Sequence, residues 1–308
     1  MKRIFIDGSA GTTGLRIRER LSQRSDLVVT VLPEELRKDP ASRKQAIAES
    51  DLAFLCLPDE AARESAALAE GSGTVLIDTS TAHRTQPGWA YGFPELSERH
   101  LEAIRSADRI ASPGCHASGF IALVYPLLQG GLLKKDAALS CFSLTGYSGG
   151  GKKMIAQYES AERDPLFHAP RQYGLTQTHK HLKEMTVQTG AAVPPVFCPV
   201  VGDFYSGMQV TVPLHREQLN GAGLADVQNA LKAAYPGDIV FYQDCAQDGF
   251  LNACALSGKD NMAVTAYGND ERMILCATYD NLGKGASGAA MECMNIRLGL
   301  APESGLDL

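Results

Sequence analysis

The stretch "RIFIDGSAGTTGLRI", Arg3–Ile17, decides the fold. Its first five residues form a short apolar β-type run that ends at Asp7. Glycines follow at 8, 11 and 14, and a helical pattern opens at about Thr13 and runs to Gln23. Glycine accepts positive φ and lets backbone approach a phosphate, while a helix start offers unpaired N–H groups and the positive end of its dipole. Strand, glycine turn and helix in that order form the context of a dinucleotide loop, although the spacing is G-x-x-G-x-x-G and not G-x-G-x-x-G. An ordinary tight strand-to-helix turn is the competing reading. Gly8, Ala10, Gly11, Thr12, Thr13 and Gly14 are the candidate cofactor contacts, the threonines adding hydroxyls.

Working outward, the same alternation repeats. Leu27–Pro33, Leu52–Pro58 and Thr74–Ser80 read as strands, with helices at about 40–49 and Asp59–Gly71 between them. Apolar strands separated by helices of this length imply βαβ units and a Rossmann-type parallel sheet, an α/β architecture. After Cys115 the pattern changes. Phe120–Leu133 reads as an apolar helix containing Pro126. Strands follow at Ala138–Gly146, Phe204–His215, Asp238–Asp244, Asn261–Asp270 and Arg272–Asp280, with a helix at Leu224–Tyr235. The Gly268–Asp270 turn predicts a hairpin between the last two strands. Residues 160–180 read as irregular, and Ala286–Leu300 as a closing helix. This second region is an α+β domain with a mixed, largely antiparallel sheet.

The bulk numbers narrow the function. The 308 residues carry a net charge of −6 and no basic run, so nothing points to a nucleic-acid or membrane partner. No apolar run reaches the ~18 residues of a spanning helix. The N-terminal apolar run breaks at Asp7 and Gly8, too early for a secretory signal, and the expected location is cytoplasmic. Eight cysteines, at 56, 115, 141, 198, 245, 254, 276 and 293, include no C-x-x-C pair. A disulfide framework and a metal site are both unexpected. Cys56, Cys141 and Cys276 lie in apolar runs and read as small buried hydrophobes.

Only Cys115 sits in a polar, turn-like setting, "SPGCHASGF" (Ser112–Phe120). A helix start stabilises a thiolate, which makes a nucleophile; a buried structural cysteine at a loop–helix junction is equally open from these residues. A nucleophile needs a proton carrier. His116 is adjacent in sequence, and its side chain is expected to point away from the thiol. "THKHLKEM" (Thr178–Met185) offers His179 and His181 just before a short helix that Thr178 could cap, and Arg171, Lys180 and Lys183 suit an anionic substrate. Glu34 stands about where an acid would hold a ribose hydroxyl, favouring NAD, but Arg37 and Lys38 follow it and could hold a 2′-phosphate. "YDNLGKGASG" (Tyr279–Gly288) is a second glycine-rich turn, in which Asn281 is a further cofactor candidate.

These residues together resemble a family. "ASPGCHASGFIALVYPL" resembles the active-site signature of N-acetyl-γ-glutamyl-phosphate reductases, with His116 where the signature has an aromatic residue and Ser118 where it has threonine. "GSAGTTGLRI", "DTSTAHR", "YGFPEL", "GYSGGGK", "THKHLKE" and "DNLGKGASGAAMECMN" resemble other blocks of its short form (type 2), so the resemblance spans essentially the whole chain. It implies an NADPH-dependent reductase of an acyl phosphate in arginine biosynthesis, with a semialdehyde-dehydrogenase-like fold, acting as a homo-oligomer, dimer or tetramer. It also implies a dinucleotide-binding domain of residues 1–114 plus 286–308, and a catalytic and oligomerisation domain of residues 115–285. The family's thiol matches Cys115 and its H-x-H motif His179 and His181. The thiolate is expected to form a thioester, with His181 as acid–base and His179 nearer the phosphate. Arg84, Ser148, Gly149 and Lys152 are the phosphate candidates. The rivals are an aspartate-semialdehyde-dehydrogenase-type reductase, a Cys–His hydrolase or acyltransferase, and a non-catalytic NADP-sensing module.

Overall fold

A computed structural model describes residues 1–244 and 248–308; Cys245 lies outside the described residues. The chain divides into two compact units. One comprises Met1–Pro94, Glu98–Gly114 and Ala286–Leu306; the other comprises Glu95–Ser97, Cys115–Gly285 and Asp307–Leu308.

The first unit alternates strand and helix: β1 (Lys2–Asp7), α1 (Thr12–Leu21), β2 (Leu27–Thr30), α2 (Pro40–Ala48), β3 (Leu52–Leu55), α3 (Asp59–Leu68), β4 (Val75–Asp78), β5 (Ala90–Tyr91), α4 (Glu98–Ser106) and β6 (Arg109–Ala111). The strands form one sheet in the order β2-β1-β3-β4-β6-β5, every pair parallel. Parallel strands need crossover helices, which cover both faces. Ile4, Ile6, Phe54 and Ile77 accordingly pack on one side with Ile17 of α1 and with Met291 and Met294 of the C-terminal helix (Gly288–Arg297). Phe5, Ala53, Leu55 and Leu76 pack on the other with Ile47 of α2. The strands β5 and β6 and the helix α4 were not expected from the sequence; the two strands have only two and three residues.

The second unit opens with α5 (Cys115–Gln129) and continues through β7 (Ser140–Gly146), α6 (Gly151–Glu159), β8 (Arg171–Gln172), α7 (His181–Thr189), β9 (Val196–Gly202), β10 (Met208–His215), α8 (Leu224–Ala234), β11 (Val240–Tyr242), β12 (Met262–Gly268) and β13 (Arg272–Tyr279). Its seven strands run β11-β12-β13-β10-β7-β9-β8. The β12–β13, β13–β10, β10–β7 and β9–β8 pairs are antiparallel, the β11–β12 and β7–β9 pairs parallel. The predicted hairpin forms at Gly268–Asp270, where the Asn269 side chain accepts the N–H groups of Glu271 and Arg272. The strand β9 was not expected from the sequence: "VFCPVVG" contains a proline and shows no clean alternation.

Helix α5 begins at Cys115, five residues earlier than its apolar run suggests, and is buried along most of its length. Pro126 lies inside it and cannot donate to the Ala122 carbonyl four residues back. The buried Tyr235 hydroxyl donates to that carbonyl instead, at 2.7 Å, which lets the proline stay in the helix.

Candidate active site

In the first unit, the glycine loop is built from backbone. Gly8 has φ +86°, and a Cβ there would lie 2.2 Å from the Cys56 carbonyl oxygen; a Cβ on Gly14 would lie 2.5 Å from the Gly8 carbonyl oxygen. Both glycines are therefore required for α1 to start this close to the end of β1. Ala10 and Gly11 are exposed, Thr12 and Thr13 half-buried, and the first turn of α1 carries no acidic side chain. The N–H groups of that turn have no partner within the helix, so the loop fits an anionic pyrophosphate. Beyond β2, Glu34 faces solvent and pairs with Arg37 at 2.7 Å.

Arg84 is buried in the same unit. Its Nε donates to the Ser112 carbonyl at 2.9 Å and its Nη2 to the Thr79 carbonyl at 3.0 Å. It ties strand ends together, a structural occupation that the sequence did not suggest. His83 likewise bonds Asp78 at 2.6 Å and stacks on Trp89.

In the second unit, Cys115 is the first residue of α5 and only half-buried. Of the thiols in apolar runs, Cys141 and Cys276 are buried and Cys56 is half-buried; desolvation pushes Cys56 up to about 12 and Cys276 up to about 11, and raises Cys141 as well. Two devices fix the backbone at Cys115. The buried Tyr279 hydroxyl donates to the Cys115 carbonyl and accepts the Gly119 N–H at 3.0 Å. The turn after β13 then passes so near that a Cβ on Gly285 would lie 3.1 Å from the Cys115 Cβ. That turn is a single π-type turn, Gly283–Ser287. Its shape is held by the Asp280 carboxylate, which accepts from Leu282 N–H, Gly283 N–H, Gly258 N–H and the Ser206 hydroxyl, and by the ion pair of buried Lys284 with Glu95.

The histidines meet around His116. The His116 ring lies 5.6 Å from that of His181 and 6.0 Å from that of His179, and those two rings are 4.7 Å apart. Phe197 of β9 closes the group, 5.3 Å from His116 and 5.2 Å from His179 in edge contacts. His116 Nδ1 bonds the Ser143 hydroxyl and its Nε2 the Tyr173 hydroxyl, each at 2.6 Å. Burial, then the neighbouring His179, hold His116 down at about 3, so it is neutral at ordinary pH. Burial and Lys180 lower His179 as well. The sequence reading set His116 aside. The structure places it at the hub, because the second position of a helix whose first turn is buried turns inward.

Helix α7 starts at His181, and Thr178 is not its cap: the Thr178 hydroxyl bonds that of Thr176. The His179 Nδ1 instead accepts the His181 backbone N–H at 3.3 Å, which leaves the His179 proton on Nε2. Ser148 is fully buried, and its hydroxyl accepts from the Asn281 Nδ2 at 2.9 Å; the Asn281 Oδ1 accepts the Gly207 N–H. The Asn281 amide thus braces two segments, a role no motif spacing announces. Gly149, in the 3-10 turn before α6, and Lys152, in the first turn of α6, are in contrast exposed.

Residues 9–104 match the family model described as semialdehyde dehydrogenase, NAD binding domain, and residues 115–281 the one described as semialdehyde dehydrogenase, dimerisation domain. The chain is 44% identical over 306 residues to the N-acetyl-gamma-glutamyl-phosphate reductase of Brucella suis, covering 96% of this chain and 99% of that relative. It is 41% identical to N-acetyl-gamma-glutamyl-phosphate reductase 2 of a Nostoc species, covering 99% of each. Among solved structures it resembles aspartate semialdehyde dehydrogenase II of Vibrio cholerae with a TM-score of 0.72, at 16% identity over 97% of this chain and 98% of that one. That last likeness is one of fold.

Proposed function

We propose that this chain, which belongs to the N-acetyl-γ-glutamyl-phosphate reductase family, reduces N-acetyl-γ-glutamyl phosphate to N-acetylglutamate semialdehyde and phosphate with NADPH. The matched NAD binding domain makes the cofactor a nicotinamide nucleotide. NADP is our choice, from the family resemblance and from Glu34, whose carboxylate is already paired with Arg37 and is poorly placed to hold a free ribose hydroxyl. One observation carries the reading. The half-exposed Cys115 opens α5, and its neighbour His116 is the ring around which His179 and His181 pack.

In this mechanism the Cys115 thiolate attacks the acyl carbon, and the carbon–oxygen bond to phosphate breaks, leaving a thioester on the sulfur. The glycine loop holds the pyrophosphate of the dinucleotide through the first-turn N–H groups of α1. When bound, the reduced nicotinamide supplies the hydride that the thioester carbon needs. A protonated His181 gives its proton to the developing oxyanion. The thiohemiacetal then returns that proton to His181 as the carbon–sulfur bond breaks, and the semialdehyde leaves. The His179 Nε2 proton is available to a phosphate oxygen, as is Lys152. His116, neutral and with both nitrogens occupied, supports the pair without exchanging protons near neutrality.

Oligomerisation follows from the dimerisation-domain match. We assign it to the outer face of the seven-stranded sheet. There Cys198, Phe142 and Thr211 align across β9, β7 and β10, and Phe142, Val196 and Ile274 are exposed; the same row ends in Cys276 and Thr265, which are already buried. No helix among the described residues is long and apolar enough to cross a membrane; a cytoplasmic location is the reading in keeping with a biosynthetic role.

The deciding experiment is phosphate-dependent oxidation of N-acetylglutamate semialdehyde, with NADP and NAD in parallel and aspartate semialdehyde as the competing substrate. Turnover that needs phosphate and prefers NADP is expected. Equal or better turnover of aspartate semialdehyde, or hydrolysis of acyl donors without nucleotide binding, overturns the proposal.

A further inference from the structure

We infer that Gln177 is a positioning residue for the His179–His181 pair: its side chain completes the open edge of β9 and fixes where the histidine loop leaves the sheet. The inference rests on the reading above that this pair serves the Cys115 chemistry.

Strand β8 is too short to cover β9. It pairs only with Val200 and Val201, through Gln172 and Arg171. Tyr173 adds one more bond, its N–H to the Pro199 carbonyl at 3.0 Å, and at Gly174 the backbone turns away. Further along the same edge, Phe197 presents an N–H and a carbonyl that no backbone reaches from this side. The Gln177 amide takes both. Its Oε1 accepts the Phe197 N–H at 2.9 Å, and its Nε2 donates to the Phe197 carbonyl at 2.7 Å. A primary amide carries the same donor–acceptor pair as a peptide unit, so one side chain stands in for the strand residue that β8 lacks.

The backbone adopts an unusual shape to do this. Gln177 has φ +56° and is the one non-glycine residue with positive φ among the described residues. That region disfavours a side chain, and such outliers persist only where their surroundings over-determine them. Here the surroundings are the two bonds to Phe197. The Phe197 ring, buried, is also the wall against which His116 and His179 make edge contact. The Gln177 side chain therefore grips, by the backbone N–H and carbonyl of Phe197, the residue whose ring packs the histidines. His179 follows it by two residues and His181 by four.

The test uses the full chain with Gln177→Gly and Gln177→Glu. The glycine variant relieves the backbone and removes the amide. Its kcat is expected to fall about 10-fold or more, as misplacement of catalytic groups does, with KM for NADP unchanged. The imidazole resonances of His179 and His181, followed by NMR without substrate, should shift or broaden. In the glutamate variant the carboxylate still accepts from Phe197 N–H but meets the Phe197 carbonyl with a second acceptor. Its kcat relative to wild type should climb as pH falls toward ~5, where a protonated carboxyl donates again; a purely structural role gives no such recovery. Wild-type kcat with unmoved imidazole resonances in Gln177→Gly overturns the inference. If that variant does not fold, Gln177→Glu decides by the same readouts, and a flat ratio against pH overturns it. A wild-type chain that fails to oxidise the semialdehyde, while the resonances still move in the glycine variant, overturns the reductase reading and leaves the positioning role standing.

Discussion

The glycine loop of the first unit and the histidine cluster of the second make their sites from different parts of the chain. In the loop, the working groups are backbone N–H groups at the start of α1, and the residue identities that matter are those with no side chain, Gly8 and Gly14. In the cluster, the working groups are side chains from α5, β9, α7 and the segment between β8 and α7, brought together by sheet pairing and helix packing. A backbone site is local: the seven residues Gly8–Gly14 contain it. A side-chain site is assembled across the 83 residues from Cys115 to Phe197, and each member depends on its neighbours' placement. The two should fail differently when perturbed.

The largest failure belongs to the thiol. Cys115→Ala should cost on the order of 10⁴-fold or more in turnover, as removal of a covalent nucleophile does, while fluorescence titration still shows NADPH binding. Near-normal turnover would remove the thioester from the mechanism. His181→Asn comes next, with kcat down by ~10²–10⁴-fold; a loss confined to KM would make His181 a binding residue instead. On the backbone side, Gly8→Ala places a Cβ against the Cys56 carbonyl at a positive φ. It should lower stability by about 2 kcal/mol or more in urea titration, from left-handed strain and the clash together, and should weaken nucleotide binding without touching the reactivity of Cys115 toward alkylating agents. Alkylation that slowed in parallel would dissolve the contrast between the two sites.

The smallest effect, per pH unit, is a slope. The His116 ring is held at about 3 against an ordinary 6.5. Between those values the unfolded chain binds a proton there that the folded chain does not. Stability from this ring is thus fully present above about 6.5 and is lost as pH falls toward 3, by up to ~1.4 kcal/mol per pH unit. His116→Asn should flatten this part of the acid limb in denaturant titrations at stepped pH. An unchanged slope would mean that the ring is already solvated in the folded state.

The parallel sheet was legible because each βαβ unit writes its own pattern, and Gly8, Gly11 and Gly14 mark the loop at the first crossover. The position of Cys115 at a helix start was legible for the same local reason. What stayed hidden depends on long-range pairing. Nothing in "VFCPVVG" announces that β9 lies parallel to β7, and without that register Phe197 cannot be placed beside His116. Thr178 was a reasonable cap by residue type, yet the His179 ring takes that position because the histidine loop is pinned elsewhere. Arg84 and Asn281 carry polar groups that suit ligands, and their donors go to backbone carbonyls and to Ser148. Polar side chains near a site brace it as often as they contact a ligand, and residue type alone does not separate the two.

The first unit's core has a consequence for the order of synthesis. Ile4 and Ile6 pack with Met291, Met294 and Ile296 of the helix Gly288–Arg297, which is made far later than β1. At 5–20 residues per second, roughly 15–60 s separate the two segments on the ribosome. For that interval one face of the nascent parallel sheet lacks one of its covering helices, whereas Cys115–Gly285 is nearly continuous and can close as soon as it emerges. The part of the molecule that is simplest to recognise therefore closes after the second unit does, and the period before its helix Gly288–Arg297 arrives is when a chaperone would find it.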